Sequence, residues 1–338
     1  MVSPDKASMG EQGGRSLAID CLRAVAILSV MFYHFGPQYA PGLYYGSYGV
    51  LLFFVISGYC ISISANSSAN AWHFYAKRLI RLLPALIVCG AITTAAKQAF
   101  PALIDPARMS SWSDYGWTLV SLPLFNNLQL RYNWPDGTYW TLLVEFQFYG
   151  VCFAAMVVGL RKHLLRFVCA TAVLHTMTTG LTINGSNDFT PFFIAGLAIA
   201  EIERGNLRDA IGALACAFCL DLYHLKFGFI QPNIAIGPTR TLFLWVGTIV
   251  VWTAVNWKIT PKQQQLLRPI AFIGLISYPL YLIHFNVGFM LIKALNSSMW
   301  SRAALIAPIL ICAAWIIYAF VERPVIGLLS AIGERSRP

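Results

Sequence analysis

The chain has 338 residues, of which 57% are hydrophobic and only 11% are charged, and its formal net charge is +10. Its mean hydropathy of +0.62 lies outside the usual range of water-soluble domains, so composition excludes a soluble enzyme and predicts a polytopic membrane protein. We attribute the positive charge to membrane orientation and to contact with the inner leaflet, and we expect no nucleic-acid partner.

Apolar runs of about 20 residues, the length that crosses a bilayer as a helix, recur along the whole chain. Backbone polar groups must be satisfied inside the hydrocarbon, so the predicted fold class is an all-α transmembrane bundle. About ten spans are predicted, at residues 17–35, 47–64, 79–96, 139–160, 164–183, 189–202, 207–223, 239–256, 270–292 and 303–321. The sixth of these is short, and the seventh contains Asp221.

The distribution of lysine and arginine predicts the orientation. Most of the 24 basic residues fall on one side of the membrane if both termini are cytoplasmic, as the positive-inside rule requires. We therefore predict a flexible cytoplasmic tail at residues 1–15, a membrane domain at 16–328 and a short cytoplasmic tail at 329–338. The start of the chain has no pattern of signal-peptide cleavage.

The first span carries Arg23 and His34. Eleven steps along an α-helix place their side chains about 20° apart around the axis and about 16 Å apart along it. Ionisable groups are costly in lipid and indicate a functional pathway. A second interpretation stays open for Arg23, in which it pairs with Asp20 and snorkels to the interface.

The third span begins with Lys77, Arg78 and Arg81, and the two arginines share a helical face. The cluster either anchors the span on the cytoplasmic side or binds phosphate, since guanidinium groups match phosphate oxygens. Arg23 has the same predicted depth. The three arginines together predict a layer that receives a polyphosphate compound from the cytosol.

Glu145 lies in the fourth span at the predicted depth of His34, near the outer face. A carboxylate there needs a partner, and the imidazole of His34 is one candidate. A structural hydrogen bond with a neighbour such as Thr141 is the alternative. His284 is a further candidate for this outer layer, and Glu322 is one for the arginine layer.

The eight cysteines lie in or beside apolar runs, and we interpret them as packing residues. Cys216 and Cys219 form a C-x-x-C pair without a second pair or a histidine cluster. We therefore predict no metal site.

Six strings resemble the acyltransferase 3 family of integral membrane O-acyltransferases, in order from about residue 16 to 328. They are IDCLR at 19–23 with YHF at 33–35, GVLLFFVISGY at 49–59, YAKRLIRLLP at 75–84, YWTLLVEFQFY at 139–149, SYPLYLIH at 277–284 and FVERP at 320–324. Phe146 stands where the family usually has a second acidic residue. Phe285 and Asn286 follow His284 where the family often has a proline, which leaves the role of His284 open.

The resemblance implies transfer of an acyl group, usually acetyl, to a hydroxyl of an extracytoplasmic glycan or glycolipid, such as an exopolysaccharide or O-antigen. It also implies location in the bacterial cytoplasmic (inner) membrane. Acyl-CoA is then a co-substrate, and no permanently bound cofactor is expected. The aromatic side chains of the outward stretch 97–138, Trp112, Trp117 and Trp134 among them, either stack on sugar rings or anchor the interface.

On this hypothesis Arg23, Arg78 and Arg81 hold the phosphates of the donor, and His34 is the general base. Glu145 orients the imidazole and stabilises its charged form. Direct transfer and an acyl-histidine intermediate both stay open. The chain ends soon after the last string, and we expect any esterase-like step to come from another protein.

Two other functions are consistent with the residues. A transporter would use the intramembrane histidine, glutamate and arginine side chains as an ion or proton pathway. A non-catalytic scaffold would retain the fold alone, but it has no need for costly charges at membrane depth.

Overall fold

The fold is taken from a computed structural model, which describes residues 4–36, 43–124, 133–179, 189–227, 238–295 and 299–327. Every regular element in these residues is a helix, which confirms the predicted all-α class for the part of the chain that is described. The predicted tail at 329–338 lies outside the described residues. The chain divides into two compact units, each assembled from separate segments.

The first unit contains most of the central part of the chain and the long N-terminal helix as far as Tyr33. That helix begins at Pro4, within the segment for which a flexible tail is predicted. The helices of this unit are α1 (Pro4–Phe35), α2 (Tyr48–Ser67), α6 (Leu164–Thr179), α7 (Thr190–Glu203), α8 (Leu207–Phe227), α9 (Pro238–Asn256) and α10 (Pro261–Leu275).

Helices α2 and α7 pack backbone against backbone in the core of the first unit. A Cβ atom at Gly58 would collide with the carbonyl oxygen of Phe193, and one at Gly196 would collide with that of Val55. Small residues allow this close approach of two helices in a membrane protein. The second glycine of the GVLLFFVISGY string therefore has a packing function.

Helix α7 is a core helix of its unit. Residues 191–200 are buried on every face. The helix has 14 residues, so it is about 21 Å long and shorter than a hydrocarbon layer of about 30 Å. An apolar run of this length is typical of a buried helix rather than of a span.

The second unit begins at His34, in the last turn of α1. Its other helices are α3 (Ala71–Ala99), α4 (Trp112–Ser121), α5 (Trp140–Val157, as far as Phe153), α11 (Ser277–Ile283), α12 (Asn286–Leu295) and α13 (Met299–Ile317), which continues through a π-helical turn at Tyr318–Glu322. Two short 3-10 turns, Pro101–Leu103 and Pro106–Arg108, separate α3 from α4.

Contacts between distant segments fix the interior of the second unit. The hydroxyl of Tyr278 on α11 donates to the carbonyl oxygen of Leu82 on α3 at 3.0 Å. Gly288 on α12 lies so close to Phe35 that an added Cβ would be 2.5 Å from the end of that ring. The last turn of α1 therefore rests against α12.

Six helical segments are long and apolar enough to cross a membrane, and the number is seven if α10 and α11 form one broken span. The six are Leu17–Phe35, Tyr45–Ser67, Ala71–Ala99, Trp140–Val157, Pro238–Asn256 and Ala304–Gly327, all within the described residues. The chain is thus a multi-pass membrane protein. The count of ten spans and the cytoplasmic location of both termini stay predictions.

Candidate active site

Two histidines meet in the second unit. His34 lies in the last turn of α1, and His284 follows the end of α11. Their ring centroids are 5.3 Å apart. The His34 ring stands nearly perpendicular to the rings of Phe285 and Phe289, with centroid separations of 4.6 and 6.4 Å. His284, for which the sequence left the role open, is therefore a neighbour of His34.

The hydrogen bonding of His284 identifies its basic nitrogen. Nδ1 lies 2.8 Å from the carbonyl oxygen of Tyr281, so Nδ1 carries the proton and donates it. Nε2 is then left with a lone pair. It is fully buried and has no hydrogen-bond partner among the described residues. An unsatisfied buried acceptor costs about 1–3 kcal/mol, so Nε2 is available to accept a hydrogen bond from a ligand or from a protonated neighbour.

Asp136 fixes the turn that carries His284. Its side chain is completely buried and accepts hydrogen bonds from the backbone N–H and hydroxyl of Thr138, at 3.0 and 2.8 Å. The other carboxylate oxygen accepts from the backbone N–H of Asn286 at 2.8 Å, and the Asn286 amide donates to the Pro135 carbonyl at 3.0 Å. Burial raises the pKa of Asp136 above its usual range, while these hydrogen bonds oppose the rise.

Lys97, at the end of α3, is also completely buried. Its ammonium group donates to the Arg108 carbonyl at 2.6 Å, the Ser110 hydroxyl at 3.2 Å and the Trp134 carbonyl at 3.3 Å. All three donors are thus used, and the positive charge also acts on Asp136. Together the two buried charges hold the loops around the histidine pair.

Arg108 completes this group. Its guanidinium carbon lies 5.1 Å from the centroid of Phe285 and 5.7 Å from that of Phe289, the two rings beside His34. Patterns in the sequence missed Lys97, Arg108 and Asp136, because each lies at the end of an apolar run or between runs. The Asp136-Gly137 pair is a turn signal and could have indicated an ordered loop.

A second polar group in the same unit contains the predicted donor-binding residues of α3. The Tyr149 hydroxyl donates to Glu145 at 2.5 Å, one helical turn away. The guanidinium carbon of Arg78 lies 5.9 Å from both the Tyr149 and the Phe74 ring centroids. Arg78 Nε is buried without a hydrogen-bond partner in the described part of the chain.

The charges of Glu145, Arg78 and Arg81 all act on Tyr149, which places these three predicted site residues in one neighbourhood. Glu322 belongs to it as well, since the charge of Arg81 acts on its carboxylate. Its Oε1 is buried and has no hydrogen-bond partner in the residues that are described. A buried cationic donor on Arg78 and a buried anionic acceptor on Glu322, both without hydrogen-bond partners among the described residues, are suited to a ligand with acceptors and donors.

Arg23 lies in the first unit, whereas Arg78 and Arg81 lie in the second. Arg23 forms the expected pair with Asp20, with 2.9 Å between Nη1 and Oδ1, and its Nη2 lies 3.5 Å from the sulfur of Cys60. The layer of three arginines stays a prediction. So does the pairing of Glu145 with His34, because the hydrogen bond described for Glu145 is the one from Tyr149.

No group of three or more histidine, cysteine, aspartate or glutamate side chains could hold a metal ion in the described residues. All eight cysteines are free thiols. The histidine pair and the arginine neighbourhood offer a base, cations and carboxylates. This set is suited to proton transfer and to binding of anions.

Comparison with known proteins agrees with the family resemblance seen in the sequence. The sequence model of the family described as "Acyltransferase domain" matches residues 16–319. The chain is 24% identical to the peptidoglycan O-acetyltransferase OatA of Listeria monocytogenes, over 91% of the chain and 55% of that protein. It is 27% identical to BcsY of Komagataeibacter xylinus, named as a putative membrane-bound transacylase, over 79% of the chain and 71% of that protein.

The O-acetyltransferase OatA of Staphylococcus aureus is 29% identical over 39% of the chain and 23% of its own length. The chain thus spans little more than half of the Listeria relative. No solved structure shows significant similarity to the chain.

Proposed function

The chain belongs to the acyltransferase 3 family of membrane proteins, and we propose from this that it transfers an acetyl group from cytosolic acetyl-CoA to a hydroxyl of an extracytoplasmic glycan. The Listeria and Komagataeibacter relatives carry names of an O-acetyltransferase and a transacylase, which supports acyl transfer. The proposed location is the bacterial cytoplasmic membrane.

The observation that carries the proposal is the contact between His34 and His284, with the Nε2 lone pair of His284 unsatisfied among the described residues. His34 takes the proton of the acceptor hydroxyl as the oxygen attacks the thioester carbon. The C–S bond then breaks, and the proton passes from His34 to the leaving thiolate of CoA. One C–O bond forms as one C–S bond breaks and the acyl carbon keeps its oxidation state, so no oxidant or reductant is needed.

His284 supports His34 in this scheme. Its Nδ1–H is held by the Tyr281 carbonyl, so the neutral Nε2 can accept a hydrogen bond from the protonated His34 ring. We assign to His284 the orienting function that the sequence predicted for Glu145. Glu145 lies in the neighbourhood of Arg78 and Arg81, where the phosphates of acetyl-CoA are proposed to bind, and its pairing with His34 stays a prediction.

The proposal is tested with purified protein in nanodiscs, radiolabelled acetyl-CoA and glycan fragments as acceptors. We expect His34→Ala to abolish acetyl transfer, since proton removal alone contributes about 10²–10⁴-fold to such a rate. His163→Ala is the matched control, because this exposed histidine lies in the turn between α5 and α6 and should leave transfer unchanged.

Normal transfer by a correctly folded His34→Ala variant would refute the base assignment. Solute flux through the parent protein without consumption of acetyl-CoA would instead support a transporter. In a bacterium that carries the gene, deletion should remove one acetyl ester from a surface glycan, which mass spectrometry and NMR detect.

A further inference from the structure

Arg108 is a cation beside the histidine pair whose guanidinium has no partner of opposite charge among the described residues. The side chain is exposed, and its guanidinium carbon lies 5.1 and 5.7 Å from the centroids of Phe285 and Phe289. Cation–π contact of this kind holds a guanidinium in place and leaves its in-plane N–H donors available. The described residues therefore position this charge without neutralising it.

The backbone at Arg108 is fixed by two independent contacts. Lys97 donates to the Arg108 carbonyl at 2.6 Å from the completely buried end of α3. Asp105 caps the 3-10 turn Pro106–Arg108 by accepting from the Ala107 N–H at 2.9 Å. Asp105, the acidic residue nearest to Arg108 in sequence, thus bonds to the backbone N–H of Ala107. Arg108 has no ion pair in the described part of the chain.

The position of Arg108 relative to the base is set by one shared ring. The centroid of the Phe285 ring lies 4.6 Å from that of the His34 ring, with the two rings nearly perpendicular. The same centroid lies 5.1 Å from the guanidinium carbon of Arg108. A hydroxyl bound at His34 is therefore close enough for another group of the same sugar to face this guanidinium, whose carbon lies at most about 10 Å from the centroid of the His34 ring. An anionic group close to that hydroxyl would gain a charge-assisted, bidentate hydrogen bond.

We propose that Arg108 binds a carboxylate of the acceptor, so that the acceptor is an acidic glycan that carries a uronic-acid type of sugar next to the acylated hydroxyl. This inference depends on the proposed function, because it names the substrate class of the same site. It assigns Arg108 to acceptor recognition and leaves donor binding to Arg78 and Arg81.

Binding of a matched pair of probes tests the proposal. The acidic probe is a β-linked tetrasaccharide that alternates glucose with glucuronic acid, and the neutral probe is the same molecule after reduction of its carboxyl groups. Calorimetry on the full chain in nanodiscs should show the acidic probe bound more tightly by about tenfold or more, as expected for one charge-assisted contact.

Arg108→Gln should remove this preference. The substitution keeps the backbone carbonyl that Lys97 contacts, so the loop is retained. Lys293→Gln is the matched control: it removes one exposed positive charge from α12, whose ammonium group donates to the Ala102 carbonyl at 2.7 Å, and the preference should persist.

The proposal is overturned if the parent protein binds the two probes equally, if it binds neither, or if Arg108→Gln retains the preference. Acetyl transfer is measured separately on the same samples. A parent protein that prefers the acidic probe but never transfers acetyl contradicts the proposed function, while the carboxylate site is supported.

Discussion

Gly137 offers a direct way to displace the ring on which the candidate site is built. An alanine Cβ at this position would lie 2.6 Å from Cε1 and 3.0 Å from Cδ1 of Phe285. Carbon atoms in contact are normally about 3.5–4.0 Å apart, so the ring must move by about 1 Å. Gly137→Ala therefore moves the aromatic support of both His34 and Arg108.

The shift of the Phe285 ring should lower both the stability of the protein and the rate of acetyl transfer. Overpacking of a buried site by one methyl group costs about 1–3 kcal/mol of stability. A displacement of about 1 Å in a group that positions catalytic residues lowers the rate by about 10²-fold. We expect kcat for acetyl transfer to fall by that factor, with the KM for acetyl-CoA unchanged because Arg78 and Arg81 belong to the other polar group, around Tyr149.

The assay is acetyl transfer in nanodiscs together with the melting temperature of each variant. Gly116→Ala is the control, because an added Cβ there has no neighbour within 4 Å and the position lies on helix α4. It should leave kcat unchanged and stabilise the helix by up to about 1 kcal/mol. Unchanged kcat in a folded Gly137→Ala variant would show that Phe285 does not position His34.

Substitutions at His284 and Arg78 test the functions of the histidine pair and of the arginine neighbourhood independently. His284→Phe keeps a ring but removes the Nε2 lone pair, so kcat should fall by about 10²-fold with an unchanged KM for acetyl-CoA; a kcat equal to that of the parent would exclude the supporting function. Arg78→Ala should raise the KM for acetyl-CoA by about tenfold or more through loss of a charge-assisted contact, whereas Arg208→Ala, an exposed arginine at the start of α8, should not. Equal donor affinity in the two arginine variants would contradict phosphate binding at Arg78.

The sequence by itself predicted the helical class, contacts within a single helix and the family, because each depends on residues close together in the chain. Helical class follows from apolar runs, since backbone groups in lipid must bond within their own segment. The predicted pair of Asp20 with Arg23 joins residues three apart, which share a helical face. Glu145 also bonds within its own helix, but to Tyr149 four positions on rather than to Thr141, the example that the sequence suggested. The family strings likewise carried the acyltransferase assignment, because each string is a short run of consecutive residues.

Apolar length alone did not separate spans from core helices. The segment 189–202 is predicted to be a short span, and residues 191–200 of α7 within it are buried on every face. Hydropathy measures the cost of exposure to water and cannot distinguish a lipid environment from a protein interior. The close approach at Gly58 and Gly196 shows that α7 packs against α2, which hydropathy alone did not predict.

The site itself required the tertiary structure. His34 meets His284, and Asp136 meets Asn286, across 250 and 150 positions of sequence. Helical periodicity fixes the depth of a residue and its face, but not which distant segment covers that face. Lys97, Arg108 and Asp136 stand outside any periodic pattern, and their function follows from the carbonyls, rings and N–H groups that folding brings to them.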